Sequence, residues 1–332
     1  MHATFLIGNG FDVKMGLKTK YKDFYSFYIK KDNNSSPVII NLKKELKNYL
    51  NGDDSKWADL ELALGKHTQK INTYTEFNTV ISDLIENLSE HLRKEENNFT
   101  IGNEVETKHL IYDDLTYPEE FLKPIDQKKI KDYKWKWQNT SPWITDIISF
   151  NYTTTFEKLI EYNEQESTTI GKAFGHNINI SNISHIHGLI DRTILLGVND
   201  VSQINNESFH QNIDILELLV KPQTNTMLKQ GIEAECKAIL NNSNLICLFG
   251  LSIGETDKIW WEHIGNQLNK DCKIIYFVKE EKEVDERYIG QIERKYTKYL
   301  LERMNLNPDE YEKYKDQIFI AYNTKIFDIE LH

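Results

Sequence analysis

The sequence predicts an α/β fold: a mostly parallel sheet flanked by helices, with a mainly helical insertion after the first strand–helix unit. Three observations lead there. Short apolar runs alternate with longer segments of helical period, as strands and helices do when they follow one another. Several of the runs are continuously apolar, which suits strands buried on both faces of a parallel sheet. Residues 95–142 interrupt the pattern: they are rich in Lys, Glu, Asn, Asp and aromatics, weakly periodic, and contain Pro118, Pro124 and Pro142.

In chain order, Thr4-Phe5-Leu6-Ile7 is a short strand ended by Gly8-Asn9-Gly10. Residues 41–50 form a short amphipathic segment. From Asn72 to Glu95, Phe77, Val80, Ile81, Leu84, Ile85, Leu88 and Leu92 keep spacings of three and four, the stripe of a long amphipathic helix. Residues 1–39 are therefore read as the first strand–helix unit, 40–142 as the insertion or lid, and 143–332 as the rest of the core. In that last part the strand candidates are Ile144–Phe150, Ser184–His187, Ile194–Val198, Asn244–Phe249, Lys273–Val278 and Ile318–Tyr322. Helical patterns lie at 153–163, 227–241, 255–268 and 284–303. No internal repeat is present.

The 332 residues suffice for one large domain or two smaller ones. With 40 Lys and Arg against 51 Asp and Glu the net charge is −11, and 39% of residues are hydrophobic. That composition suits a folded globular protein. It disfavours passive nucleic-acid coating, whose affinity comes from basic side chains on phosphates. No apolar stretch approaches the roughly 18–20 residues of a membrane span, so no membrane partner is expected. The N-terminus lacks the basic region and long apolar stretch of a signal peptide, so the cytoplasm is expected. Cys236, Cys247 and Cys272 contain no C-x-x-C pair and match no common zinc module, and no metal is expected.

Four strand ends carry residues suited to chemistry. Gly8-Asn9-Gly10-Phe11-Asp12 follows the first strand, and glycines there would let backbone N–H groups approach a phosphate. The third glycine of the ordinary dehydrogenase fingerprint is missing, because Val13 stands in its place. Asn151, in Ser149-Phe150-Asn151-Tyr152-Thr153, sits where ligands collect in open α/β sheets, although such an Asn also serves as a turn or cap. In His185-Ile186-His187-Gly188, alternation predicts both imidazoles on one face, one structural and one catalytic. Gly250-Leu251-Ser252-Ile253-Gly254-Glu255-Thr256-Asp257 is a small-residue turn that either holds a ribose or phosphate or simply joins strand to helix. Trp57-Ala58-Asp59-Leu60-Glu61 adds two carboxylates near the start of the insertion.

Together these segments, from Gly8 to Leu17 and then Asn151, His187-Gly188 and Gly250-Leu251-Ser252, resemble the phage abortive-infection AbiH family over nearly the full length. More distantly they are similar to the Rossmann-like, sirtuin-like NAD-binding fold. Its G-x-G-x-S-x-x-x-G-I-P loop places Gly8, Gly10, Gly16 and Leu17 in register. Asp12 replaces its Ser and Lys18 its Pro, and the Arg that follows is absent, with Tyr21 nearby. The resemblance implies NAD as substrate or ligand, Asn151 orienting the ribose or attacking water, and His187 as general base. Asp12 or Glu61 would stabilise developing positive charge, and Gly8, Asn9, Gly10, Phe11, Gly188, Gly250 and Ser252 would contact the ligand. The zinc cysteines of the deacylases are missing, which points to cleavage or binding of NAD rather than deacylation.

The expectation is an antiphage defence protein that binds NAD or a related small nucleotide and hydrolyses the nicotinamide–ribose bond. Two alternatives stand beside it: a nucleotide sensor without turnover, and a metal-dependent nuclease or phosphodiesterase using Asp12, Asp59, Glu61 and His187. The sequence leaves a homo-oligomer open and says nothing of the phage trigger.

Overall fold

The computed structural model describes residues 1–31, 36–50, 60–280 and 285–329. Seven strands form one sheet in the order β3-β4-β2-β1-β5-β6-β7. They are β1 (His2–Ile7), β2 (Trp143–Ser149), β3 (Thr168–Ala173), β4 (His176–His185), β5 (Leu245–Phe249), β6 (Lys273–Val278) and β7 (Ile318–Tyr322). Every pairing is parallel except β3 with β4. The chain works outward from β1 through β2 to β4, then returns to β5 on the other side of β1 and continues to β7. The carboxyl ends of β1, β2, β4 and β5 therefore lie side by side.

The continuous apolar runs are explained by burial on both sides. Phe5, Ile7, Ile147, Cys247 and Phe277 pack in one cluster with residues of α1 (Gly10–Lys14), α6 (Glu104–Thr116), α7 (Pro124–Trp135) and α8 (Thr155–Ile160). Leu6, Ile148, Leu248 and Tyr276 pack oppositely with α11 (Ile232–Asn242), α12 (Lys258–Gln267), α13 (Ile289–Arg303) and α14 (Pro308–Tyr314). A third cluster lies apart from both. It joins α2 (Tyr21–Tyr28), α3 (Pro37–Leu50), α4 (Leu60–His67) and α5 (Tyr74–Asn98) to Ile190, Leu196, Val198 and α9 (Ile213–Leu219). The segment 40–142 thus contributes α3–α5 to a helical layer and α6–α7 to the cover of the sheet.

The helix predicted from Asn72 is α5. Thr73 starts it: its hydroxyl accepts from Glu76 N and its own N–H donates to the Glu76 carboxylate, both at 3.2 Å. Its apolar stripe, with Phe77, Val80 and Leu84 fully buried, is what holds it. Each such side chain contributes about 1.5–3 kcal/mol on burial.

Three strand assignments differ from expectation. β4 covers His176–His185, so only Ser184 and His185 of the expected Ser184–His187 strand belong to it. Ile194–Val198 forms no strand; it makes isolated bridges, Gly188 with Ile194 and Val198 with Val220. Its apolar residues are buried against the α2–α5 layer rather than in the sheet, and burial alone cannot distinguish the two. β3, an edge strand, is absent from the expected elements because Thr168–Ala173 has no apolar run to mark it. It is held by a tight turn in which Phe174 and Gly175 both take positive φ.

Candidate functional site

The tips of β1 and β5 pack directly on each other. Gly8 N donates to Phe249 O at 2.9 Å and Gly10 N to Gly250 O at 2.8 Å. A Cβ on Gly10 would stand 2.5 Å from the Gly250 Cα, and Gly250 itself takes a φ of +67°. The close approach that requires glycine is therefore between two backbone turns, and these two amides are already used. Phe11 is fully buried, its ring edge-on to Phe156, Phe249 and Phe327. Asn9 is bound to Thr19, accepting from its hydroxyl at 2.5 Å. Ser252 is exposed, and its carbonyl accepts from the Tyr299 hydroxyl at 3.2 Å.

Asp12 and Asn151 do come together. Asn151 Nδ2 donates to Asp12 Oδ1 at 3.1 Å, and the Thr153 hydroxyl to Oδ2 at 2.6 Å. Burial pushes the Asp12 carboxyl up to about 7, against the two hydrogen bonds and with help from Glu96 and Glu157. His185 completes this group: Nδ1 donates to Asn151 O at 2.9 Å and Nε2 faces Glu157 Oε1 at 2.5 Å. Burial alone would lower its pKa, but Glu157 raises it. With an acceptor at each ring nitrogen, His185 is the structural histidine, clamping the β4 end to the segment after β2.

His187 belongs to a different group, contrary to the single face that alternation predicts. It lies beyond the last residue of β4, where pleating no longer governs direction, and Gly188 turns the chain with φ +76°. A Cβ on Gly188 would collide with Thr193 O, so that glycine serves the turn. His187 Nε2 lies 3.1 Å from Asp257 Oδ1. The same oxygen accepts from Lys221 Nζ at 2.9 Å, and Lys221 also binds Glu61 Oε2 at 2.8 Å. Lys221 opens α10 (Lys221–Leu228); Glu61, from the first turn of α4, also accepts from Gly197 N.

The electrostatics follow from this packing. Burial would raise the Asp257 carboxyl, but the Lys221 ammonium and His187 hold it well below the usual carboxylate range. Burial would lower Lys221, and Asp257 with Glu61 raises it instead. Because Asp257 is an ionised acceptor, the His187 Nε2 carries the proton. Nδ1 is buried and without a hydrogen-bond partner. Phe150 packs edge-on to the imidazole and stacks on Trp261. Above lie two buried phenols: Tyr21 donates to Tyr152, whose hydroxyl reaches Leu195 O at 3.3 Å.

Ile186, His187, Lys221, Thr256, Asp257 and Trp260 line a narrow pocket of about 10 Å³, room for one water. Residues 151–153 tie the two groups together: Asn151 and Thr153 reach Asp12, while the Tyr152 between them faces the His187 side. Trp57 and Asp59 lie outside the described residues. Among the described residues no group of three or more His, Cys, Asp or Glu is placed to hold a metal. No helix among them is long and apolar enough to cross a membrane.

Sequence reasoning missed Lys221 and the role of Asp257. Asp257 ends the Gly250–Asp257 turn, where nothing local singles it out, and Val220-Lys221-Pro222 carries no motif; only the topology brings them to His187. Among curated proteins, none matches the chain. A family model described as bacteriophage abortive infection AbiH matches residues 4–278, from β1 through β6 and including every site residue above. The chain belongs to the bacteriophage abortive infection AbiH family.

Proposed function

We propose that the protein acts in phage abortive infection by hydrolysing the nicotinamide–ribose bond of NAD or a related nucleotide, with His187 as the general base. The observation that carries this reading is the His187–Asp257 pair. The carboxylate faces Nε2 and the buried Nδ1 has no partner, so that in the neutral imidazole Nδ1 would be the nitrogen that takes a proton. Family membership supports the defence role. Strand order supports the nucleotide: with the antiparallel edge strand set aside, β4-β2-β1-β5-β6-β7 follows the 3-2-1-4-5-6 order of doubly wound dinucleotide-binding sheets. In such sheets ligands bind at the carboxyl ends of the strands, where His187 and Asp257 lie.

In this reaction water adds to the ribose anomeric carbon as the carbon–nitrogen bond breaks. The bonding pair leaves with nicotinamide, which becomes neutral, and the water proton passes to His187 Nδ1. Asp12 and Asn151 act by fixing residues 151–153, which carry Tyr152 to the site. The narrow pocket is a resting form that admits water, so the surrounding elements must part before a nucleotide binds, and basal turnover is expected to be low. Because the Gly8 and Gly10 amides are engaged, phosphate contacts fall to other groups in the opened form.

Following nicotinamide release from NAD tests this reading, with His187→Ala and Asp257→Asn as controls. Release by the native protein, lost in both variants, supports it; release unchanged by either overturns the catalytic assignment. The engaged glycine amides and narrow pocket favour one alternative, a nucleotide sensor without turnover. That reading expects NAD or ADP-ribose to raise the melting temperature with no product formed.

A further inference from the structure

Lys221 is buried, yet it carries a charge that the hydrolysis itself does not use. Its backbone is pinned, N–H to Val198 O at 2.9 Å. Its ammonium lies between two carboxylates from distant parts of the chain, Glu61 of α4 at 2.8 Å and Asp257 at 2.9 Å. The oxygen it takes from Asp257 is the one that holds His187.

We propose that Lys221 is a positioning residue whose ammonium, shared between Glu61 and Asp257, keeps His187 neutral with its Nδ1 lone pair available. The inference rests on the reading of His187 as the base and deepens it. Glu61, Asp257 and Lys221 together leave a single net negative charge beside the imidazole. Without the ammonium two carboxylates would face it, and the nearest available compensation is protonation of His187, which would fill the lone pair. The other groups facing the imidazole do not supply that compensation. Tyr21 and Tyr152 are neutral phenols whose ionisation burial opposes. Glu233, across the pocket, is itself paired with Lys237 at 2.5 Å. Since Glu61 belongs to α4, the state of His187 is tied to the seating of that helix.

The test is titration of His187 by NMR of protein carrying 15N-labelled histidine, which reports both tautomer and charge without substrate. Lys221→Met is expected to move the His187 transition to higher pH by about one unit or more, and Glu61→Gln to move it lower. Lys221→Met combined with Glu61→Gln restores the net charge and is expected to return the transition to near its native position. If Lys221→Met alone does not fold, Glu61→Gln and the double variant still decide. A purely packing role would give no such reversal and restoration, so shifts in the same direction, or none, overturn the proposal. As no substrate is present, failure of NAD cleavage elsewhere would overturn the hydrolysis and leave this assignment standing.

Discussion

Asp12 and His185 show how burial and its partners set the chemistry of single residues here. The Asp12 carboxyl is raised to about 7, chiefly by desolvation, from an unfolded value near 3.8. A carboxyl raised in this way binds its proton more tightly in the folded than in the unfolded state. It therefore lowers stability as pH rises from about 4 to 7, with no further change above. Asp12→Asn keeps a neutral side chain able to accept from Asn151 and donate to Thr153. Its gain in stability is expected to be larger at pH 8 than at pH 5, by about 2–3 kcal/mol, measured from urea midpoints. His185 has the opposite sign. Its pKa is raised through Glu157 against the cost of burial, so its stabilisation is present below the unfolded value near 6.5 and is lost as pH rises through the folded value. His185→Gln is expected to destabilise more at pH 5.5 than at pH 8.5 on the same measurement.

At the scale of elements, the contact between the tips of β1 and β5 decides what the glycines are for. Gly10→Ala would press a methyl carbon against the Gly250 backbone at 2.5 Å, and neither turn can yield without losing its hydrogen bonds. The expected cost is about 2–4 kcal/mol, seen as a fall in melting temperature without ligand. If these glycines served only ligand approach, the apo protein would be unaffected. Within the helical layer, Leu84→Ala is expected to cost about 2–5 kcal/mol, because Leu84 is fully buried between α5 and its neighbours. Elements with a physical signature were legible in the sequence: the stripe of α5, and the doubly buried runs of β1, β2, β5, β6 and β7. The edge strand β3 has no apolar run to betray it, and Ile194–Val198 has the run without the partners. His187 and Glu61 could be named from local pattern, and the structure joins them through Lys221 and Asp257. Nothing in one dimension marks Lys221, whose role exists only once α4, α10 and the β5 turn meet.

On the scale of the whole molecule, one sheet brings four strand ends together, and a helical layer contributed by α2–α5 supplies Glu61 and Tyr21 to the same neighbourhood. An acidic protein can present such a site because its charges are compensated locally, Lys221 standing between two carboxylates, rather than by a basic surface. The pocket beside His187 has room for one water, so the proposed hydrolysis is expected only once infection opens it. Cells expressing the native protein are therefore expected to lose NAD and accumulate nicotinamide when challenged with a phage that triggers it. Cells with equal levels of the His187→Ala protein should keep their NAD and permit phage growth. Measuring cellular NAD through such a challenge tests the proposed hydrolysis most directly. A fall in NAD that depends on His187 is the predicted result, and infection aborted by the native protein with NAD unchanged would contradict it.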